Sequence, residues 1–205
     1  MNIRPEQLPY REWYRILISS VAPRPIAWVS TINRAGQPNL APFSFFNAFS
    51  GKPPIVGFAP GLRQTENGAS AKDTLRNVRD TGEFVVNVVT FDLVEAMNLT
   101  SGEYDAPVNE FELAKLEMRP SEVVKPPQVA ASPVSFECKL RQIVEFGTEG
   151  PAGSLVIGEI VAAHISDRVL KDGRLDAQAL DLVGRMGGMQ YSRTTDRFEL
   201  ARPKV

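Results

Sequence analysis

The stretch over residues 23–60 restricts the fold more than any other part of the chain. It reads PRPIAWVST, then a turn over residues 33–37, then NLAPFSFFNAFSGKPPIVGFAP. In its first piece Ile26, Trp28 and Ile32 fall on one side and Ala27, Val29 and Thr31 on the other, the period of two expected of a half-buried strand. A hairpin is predicted at residues 34–36, where Gly36 can take the positive φ of a tight turn. The second piece sets Phe43, Phe45, Phe46 and Phe49 among Ser44, Asn47 and Ser50. Rings supply contact area and short polar groups fix orientation, so this mixture suits the wall of a pocket for a flat, hydrogen-bonding ligand. It suits a core strand with an irregular edge equally well, and the residues alone leave both readings open.

Residues 9–20 predict a short amphipathic helix with Trp13, Ile16 and Leu17 on one face, stopped by Pro23. Pro53 and Pro54 launch a short apolar strand, IVGFA, and the polar run over 61–71 reads as an exposed loop. That loop leads into KDTLRNVRDTG, a helix of about three turns with Asp73 or Thr74 able to cap its start and Gly82 just past its end. Lys72, Thr74 and the free amides of such a helix start form an anion site in principle. An ordinary capped surface helix carries the same signal. A valine-rich strand follows at 83–90, then a helix closed by Ser101 and Gly102. Residues 103–127 read as an excursion over the surface, with a helical patch near 109–116.

Two longer strands, 135–147 and 154–170, are separated by the turn-rich TEGPAG and predict a β-hairpin. The tail carries GRMGGMQY, in which Arg185 can meet an anion or stack on a ring, or the segment simply crosses the sheet. Six or seven strands with at least three helices favour an antiparallel barrel with helical insertions, mainly β, over a doubly wound sheet. Neither G-x-G-x-x-G after a strand nor G-x-x-x-x-G-K-[ST] occurs, so a Rossmann or P-loop nucleotide site is not supported.

A length of 205 residues fits one domain spanning 1–205. Lys and Arg total 23 against 24 Asp and Glu, which leaves no basic excess for a nucleic acid or an anionic membrane. No run approaches the roughly 18 apolar residues of a membrane span, and the N-terminus lacks the apolar core of a signal peptide, so a cytoplasmic protein is expected. Cys138 is the only cysteine and His164 the only histidine. One chain therefore cannot assemble a disulfide or a Cys/His zinc site, and no metal is expected. His164 lies in a strand-like run, where a hydrogen-bonded structural histidine is a better account than a catalytic base. Reactivity, if the protein is an enzyme, then belongs to a bound cofactor, and no catalytic side chain is assigned.

The motifs PRPIAWVST, NLAPFSFFNAFS, KDTLRNVRDTGEFVVNVV and LDLVGRMGGMQYSRT, in this order and followed by DRFELARP, resemble the flavin reductase-like domain family. The resemblance implies an antiparallel split β-barrel of the FMN-binding type. It implies flavin contacts from Ser30 and Thr31, and from Phe43, Ser44, Phe45, Phe46 and Asn47 alongside the ring and ribityl chain. Lys72, Asp73 and Thr74 would lie near the phosphate, and Arg185 would close over the cofactor. It further implies FMN in preference to FAD, NADH or NADPH as co-substrate, and a homodimer with flavin near the subunit interface. Four functions compete: a flavin reductase passing electrons to free flavin or another acceptor, an FMN enzyme acting on a specific organic substrate, a flavin-binding electron carrier, and a structural module.

Overall fold

The computed structural model describes residues 2–65, 68–104 and 108–203. Seven strands form one sheet: β1 (Ala27–Ile32), β2 (Pro38–Phe43), β3 (Phe46–Gly51), β4 (Pro54–Phe58), β5 (Glu83–Val88), β6 (Val134–Glu145) and β7 (Ser154–Ile165). Their order is β2-β1-β5-β6-β7-β4-β3, and every neighbouring pair is antiparallel. The two edge strands, β2 and β3, are consecutive in the chain and joined by Ser44 and Phe45 alone. The sheet therefore coils almost shut, and its slit runs along this corner.

The β1–β2 hairpin closes as expected. The amide of Gly36 donates to Asn33 O at 3.0 Å with φ of 81°, and Asn33 Oδ1 accepts from the amides of Ala35 and Gln37. The predicted long hairpin is β6–β7, whose register shifts at Glu137/Cys138 and Leu140/Gln142. Such irregularities add twist, which helps a sheet curl.

Inside the curl, Ala27, Val29, Phe43, Phe58, Phe84 and Val86 pack with Leu75 and Val78 of helix α2 (Asp73–Thr81), which plugs one end. Phe58 is central, with its ring 5.1 Å from Phe43 and 5.3 Å from Phe84. The outer face of β1 is covered as well: Ile26 and Trp28 pack with Met97 of α3 (Val94–Leu99) and Phe111 of α4 (Glu110–Leu113). Strand β1 is thus buried on both faces, not on one as its alternation predicts. Trp28 Nε1 donates to Thr100 Oγ1 at 2.9 Å, as a buried indole requires. The segment read as a surface excursion supplies this outer layer, with Phe111 fully buried.

Helix α1 (Tyr10–Ser20) forms, but the face expected to be buried is not. Ile16 is 42% and Leu17 38% exposed, and the helix seats itself through Ile18. The predicted loop over 61–71 contains a short ribbon, Arg63–Thr65 with Gly68–Ser70, while Glu66 and Asn67 lie outside the described residues. No helix among the described residues is long and apolar enough to cross a membrane.

Candidate functional site

The slit opens into a cavity of about 610 Å³. Its floor is Ile26, Pro42 and Ser44, its roof is the Arg11, Tyr14, Arg15 and Ile18 stripe of α1, and Arg185, Gly188 and Tyr191 close one side. A small cleft of about 40 Å³ adjoins it, sharing Pro42, Lys72 and Ser101 and adding Phe43, Arg63 and Thr74 together with three carboxylates, Asp73, Glu103 and Glu110.

Arg24 holds the roof, corner and tail together. It is 5% exposed, and its Nη1 donates to the carbonyls of Ile18 and Val21, both at 2.6 Å, which also ties off the C-terminal end of α1. Nη2 donates to Met186 O at 3.0 Å and Nε to Ser44 Oγ at 3.4 Å. Its guanidinium lies 5.7 Å from the centre of the Phe45 ring, which meets Tyr14 edge-on, and Tyr14 stacks on Tyr10. Burial lowers the Arg24 pKa, Tyr14 opposes that shift, and Arg185 adds to it. The glycine turn after β8 (Val183–Arg185) is fixed by paired backbone bonds between Arg24 and Arg185 at 2.9 and 2.8 Å. Gly187 permits α1 to come close, since a Cβ there would sit 2.7 Å from Ser19 Oγ. Arg185 itself lies 4.5 Å over the Tyr191 ring.

The electrostatics are one-sided. Arg11, Arg15, Arg24, Lys72 and Arg185 line the cavity, and no Asp or Glu does. Among the described residues only Arg15 of these five forms an ion pair, with Glu12. A chain of near-zero net charge has gathered unpaired cations around one opening. The cleft adds donors. Lys72 is the N-cap of α2 without a side-chain cap, so among the described residues the amides of Asp73, Thr74 and Leu75 have no acceptor. The expected capping by Asp73 or Thr74 fails because both groups are taken: Asp73 pairs with Arg76 and, at 3.5 Å, with Arg63, while Thr74 Oγ1 accepts from Asn39. Arg63 Nε is buried there without a partner. An orphaned guanidinium nitrogen, uncapped amides and a lysine are the donor set that a phosphate monoester satisfies. At the corner the amides of Ser44 and Phe45 also have no acceptor among the described residues.

The residues singled out in the sequence divide into three groups. Ser44, Lys72 and Arg185 line the cavity, and Phe43, Asp73 and Thr74 join Lys72 in the cleft. Phe45 stands beside Tyr14 and Arg24, Phe46 packs on the barrel core, and Asn47 is exposed. The side chains of Ser30 and Thr31 are not brought to the opening. Both residues are fully buried, Ser30 Oγ donating to Pro127 O at 2.5 Å and Thr31 Oγ1 accepting from Asn77 at 3.1 Å. Sequence reading passed over Arg11, Tyr14, Arg24 and Arg63. Of these, only the i, i+4 spacing of Arg11 and Arg15 with Tyr14 and Ile18 offered a signal.

The remaining reactive side chains are occupied elsewhere. His164 Nε2 lies 2.5 Å from Glu137 Oε1, and Cys138 is in the barrel core, where burial raises its pKa.

An antiparallel barrel slit between consecutive edge strands, with its opening at that slit, is the split-barrel class. The sequence pattern of the flavin reductase like domain matches residues 19–183, and the chain belongs to that family. An uncharacterised protein of Halalkalibacterium halodurans is 40% identical over 100% of this chain and 98% of its own length. The crystal structure of nitrilotriacetate monooxygenase component B from Bacillus cereus superposes with a TM-score of 0.91 at 32% identity, covering 98% of both chains. A structure with a split barrel domain from Shewanella frigidimarina superposes with a TM-score of 0.81 at 26% identity, covering 99% of this chain and 100% of that one.

Proposed function

We propose that the protein is an FMN-dependent oxidoreductase that accepts hydride from NADH or NADPH and passes electrons to free flavin or another acceptor. The observation that carries this reading is the cavity at the barrel slit, lined by five cations and no carboxylate, with the orphaned Arg63 Nε, Lys72 and uncapped α2 amides beside it. Bound FMN supplies the two-electron chemistry that a chain with one histidine and one buried cysteine does not.

The residues of the chain have distinct tasks in this reading. Lys72, Arg63 Nε and the first amides of α2 take up the phosphate charge, with Thr74 Oγ1 beside them. The free amides of Ser44 and Phe45 donate to acceptors on the ring edge, and Phe45, Pro42 and Ile26 supply apolar contact. Arg24 and Arg185 are fixed before any ligand arrives, so the positive wall is preorganised for negative charge that develops beneath it. No proton transfer is assigned to a side chain. Function as a cytoplasmic homodimer belongs to the same reading. Exposed apolar side chains on β3 and the tail support the dimer, with Phe49 60%, Phe198 83% and Leu200 84% exposed.

The test is purification without added flavin, identification of any retained chromophore, and anaerobic titration with NADH and NADPH. A yellow protein whose flavin band bleaches with either nicotinamide supports the reading. Flavin that binds but stays oxidised with both points to an electron carrier, and colourless protein that refuses saturating FMN ends the proposal.

A further inference from the structure

The flavin reading leaves part of the cavity unexplained. A phosphate monoester carries about −1.5 to −2 at neutral pH, and Lys72, the unpartnered Arg63 Nε and three uncapped amides are the cleft's donors for it, on the side away from α1, with Asp73, Glu103 and Glu110 also in the lining. No residue of α1 lines that cleft. Arg11 and Arg15 belong instead to the roof of the wide cavity, together with Tyr14 and Ile18. Arg11 has no ion pair among the described residues, and the partner of Arg15 is Glu12, whose side chain is 51% exposed. Exposed i, i+3 pairs of this kind are worth little and separate readily.

We propose that α1 is the recognition element for the hydride donor: Arg11 and Arg15 take the phosphates of a reduced nicotinamide dinucleotide whose ring end enters the cavity beneath them. The inference rests on the flavin reading. Four residues along a helix advance about 6 Å, so the two guanidiniums present an extended double cation on one face. That spacing matches successive anionic groups on a chain-like ligand. Both arginines are exposed at the rim, whereas a small carboxylate acceptor would have to be gripped inside, where Arg24 is already engaged by carbonyls. A polyanionic tail held at the rim leaves the interior for the reacting ring. The absence of a Rossmann motif fits the same picture, since the dinucleotide then needs no βαβ unit.

The test uses the flavin-loaded protein and the double variant Arg11→Gln/Arg15→Gln. Calorimetric titration with NAD+ and NADP+ is expected to show dissociation constants raised by about tenfold or more and a flatter salt dependence, as for the loss of charge-assisted contacts. Flavin affinity, read by fluorescence quenching, is expected to move by less than about threefold. The ratio of kcat/KM for NADH or NADPH to that for N-benzyl-1,4-dihydronicotinamide, a donor without phosphates, is expected to fall by about tenfold or more. Arg11→Lys/Arg15→Lys should recover much of the loss. The assignment is overturned if dinucleotide affinity is unchanged, if flavin affinity falls as far as dinucleotide affinity, or if only a carboxylate acceptor is affected. A wild-type protein that takes up no FMN overturns the flavin reading along with this inference, and it does so before any variant is made. One that binds FMN but no dinucleotide overturns this inference and the nicotinamide half of the proposed function, while the flavin site itself stands; one that binds dinucleotide equally well with and without the two arginines overturns this inference alone.

Discussion

Replacing Lys72 by alanine removes the one cation that borders both the cavity and the cleft. Lys72 has no ion pair among the described residues, so its charge is not already committed, and it precedes the positive end of a nine-residue helix. A charge-assisted hydrogen bond is worth about 1.5 to 3 kcal/mol, which corresponds to roughly 10-fold to 150-fold in affinity. Arg63→Ala, which withdraws an orphaned donor from the same cleft, is expected to fall in the lower part of that range. Its guanidinium is half engaged by Asp73 at 3.5 Å. The assay compares FMN with riboflavin, which has the same ring and no phosphate, by quenching of flavin fluorescence. Because Lys72 acts on the phosphate, the variant should lose FMN affinity while riboflavin affinity hardly moves, so the FMN preference collapses. Equal losses for the two ligands would refute the phosphate assignment and place Lys72 against the ring.

Three further outcomes follow from buried groups. Glu137 is fully buried and accepts from the amides of Glu122, Val123 and Val124 at 2.8, 2.6 and 2.9 Å. Burial raises its pKa, but these bonds and His164 outweigh that and lower it overall, so its stabilising effect is present above the ordinary carboxylate range and lost as pH falls through the depressed value. Glu137→Gln should cost about 2 to 3 kcal/mol at pH 7, with a smaller difference in acid, measured by urea unfolding; a constant difference would contradict the assignment. Glu110 behaves oppositely. Burial, helped by Asp73, raises its pKa against the Leu40 amide and Arg63, so stability declines as pH climbs through the raised value. Glu110→Gln should therefore raise Tm at pH 8 and not at pH 4, and an equal gain at both would sink the idea. Gly158→Ala would place a Cβ 2.3 Å from Cζ of the fully buried Phe84 ring, and should cost about 1 to 3 kcal/mol. An unchanged urea midpoint would mean the ring can swing aside.

Local pattern revealed what local forces decide. Alternation in residues 26–32, the Asn33 to Gly36 turn and the stop at Gly82, with φ of 71°, all depend on near neighbours. The second buried face of β1 depends on Phe111 and Met97, distant in sequence, and alternation does not encode such a cover. For α1 the misjudged face has a similar origin: Trp13, Ile16 and Leu17 satisfy an apolar stripe, yet Arg24 pulls on the carbonyls of Ile18 and Val21 and turns Ile18 inward. Arg24 was silent in the sequence because one of its acceptors, Met186, lies 162 positions away. Lys72 and Arg185 were legible because each sits next to a chain signal, a helix start and a glycine turn. The reading of His164 as a structural histidine agrees with its contact to Glu137.

Ser44 and Phe45 alone link the two rims of the barrel wall. A corner of two residues has no slack, so whatever docks there is met by main-chain donors whose positions are set by the ladders on either side. Drift of side chains elsewhere around the mouth can retune what is admitted without disturbing how it is gripped. Lengthening this link by even one residue would let the rims slide past each other, and the grip would dissolve while the wall itself survived.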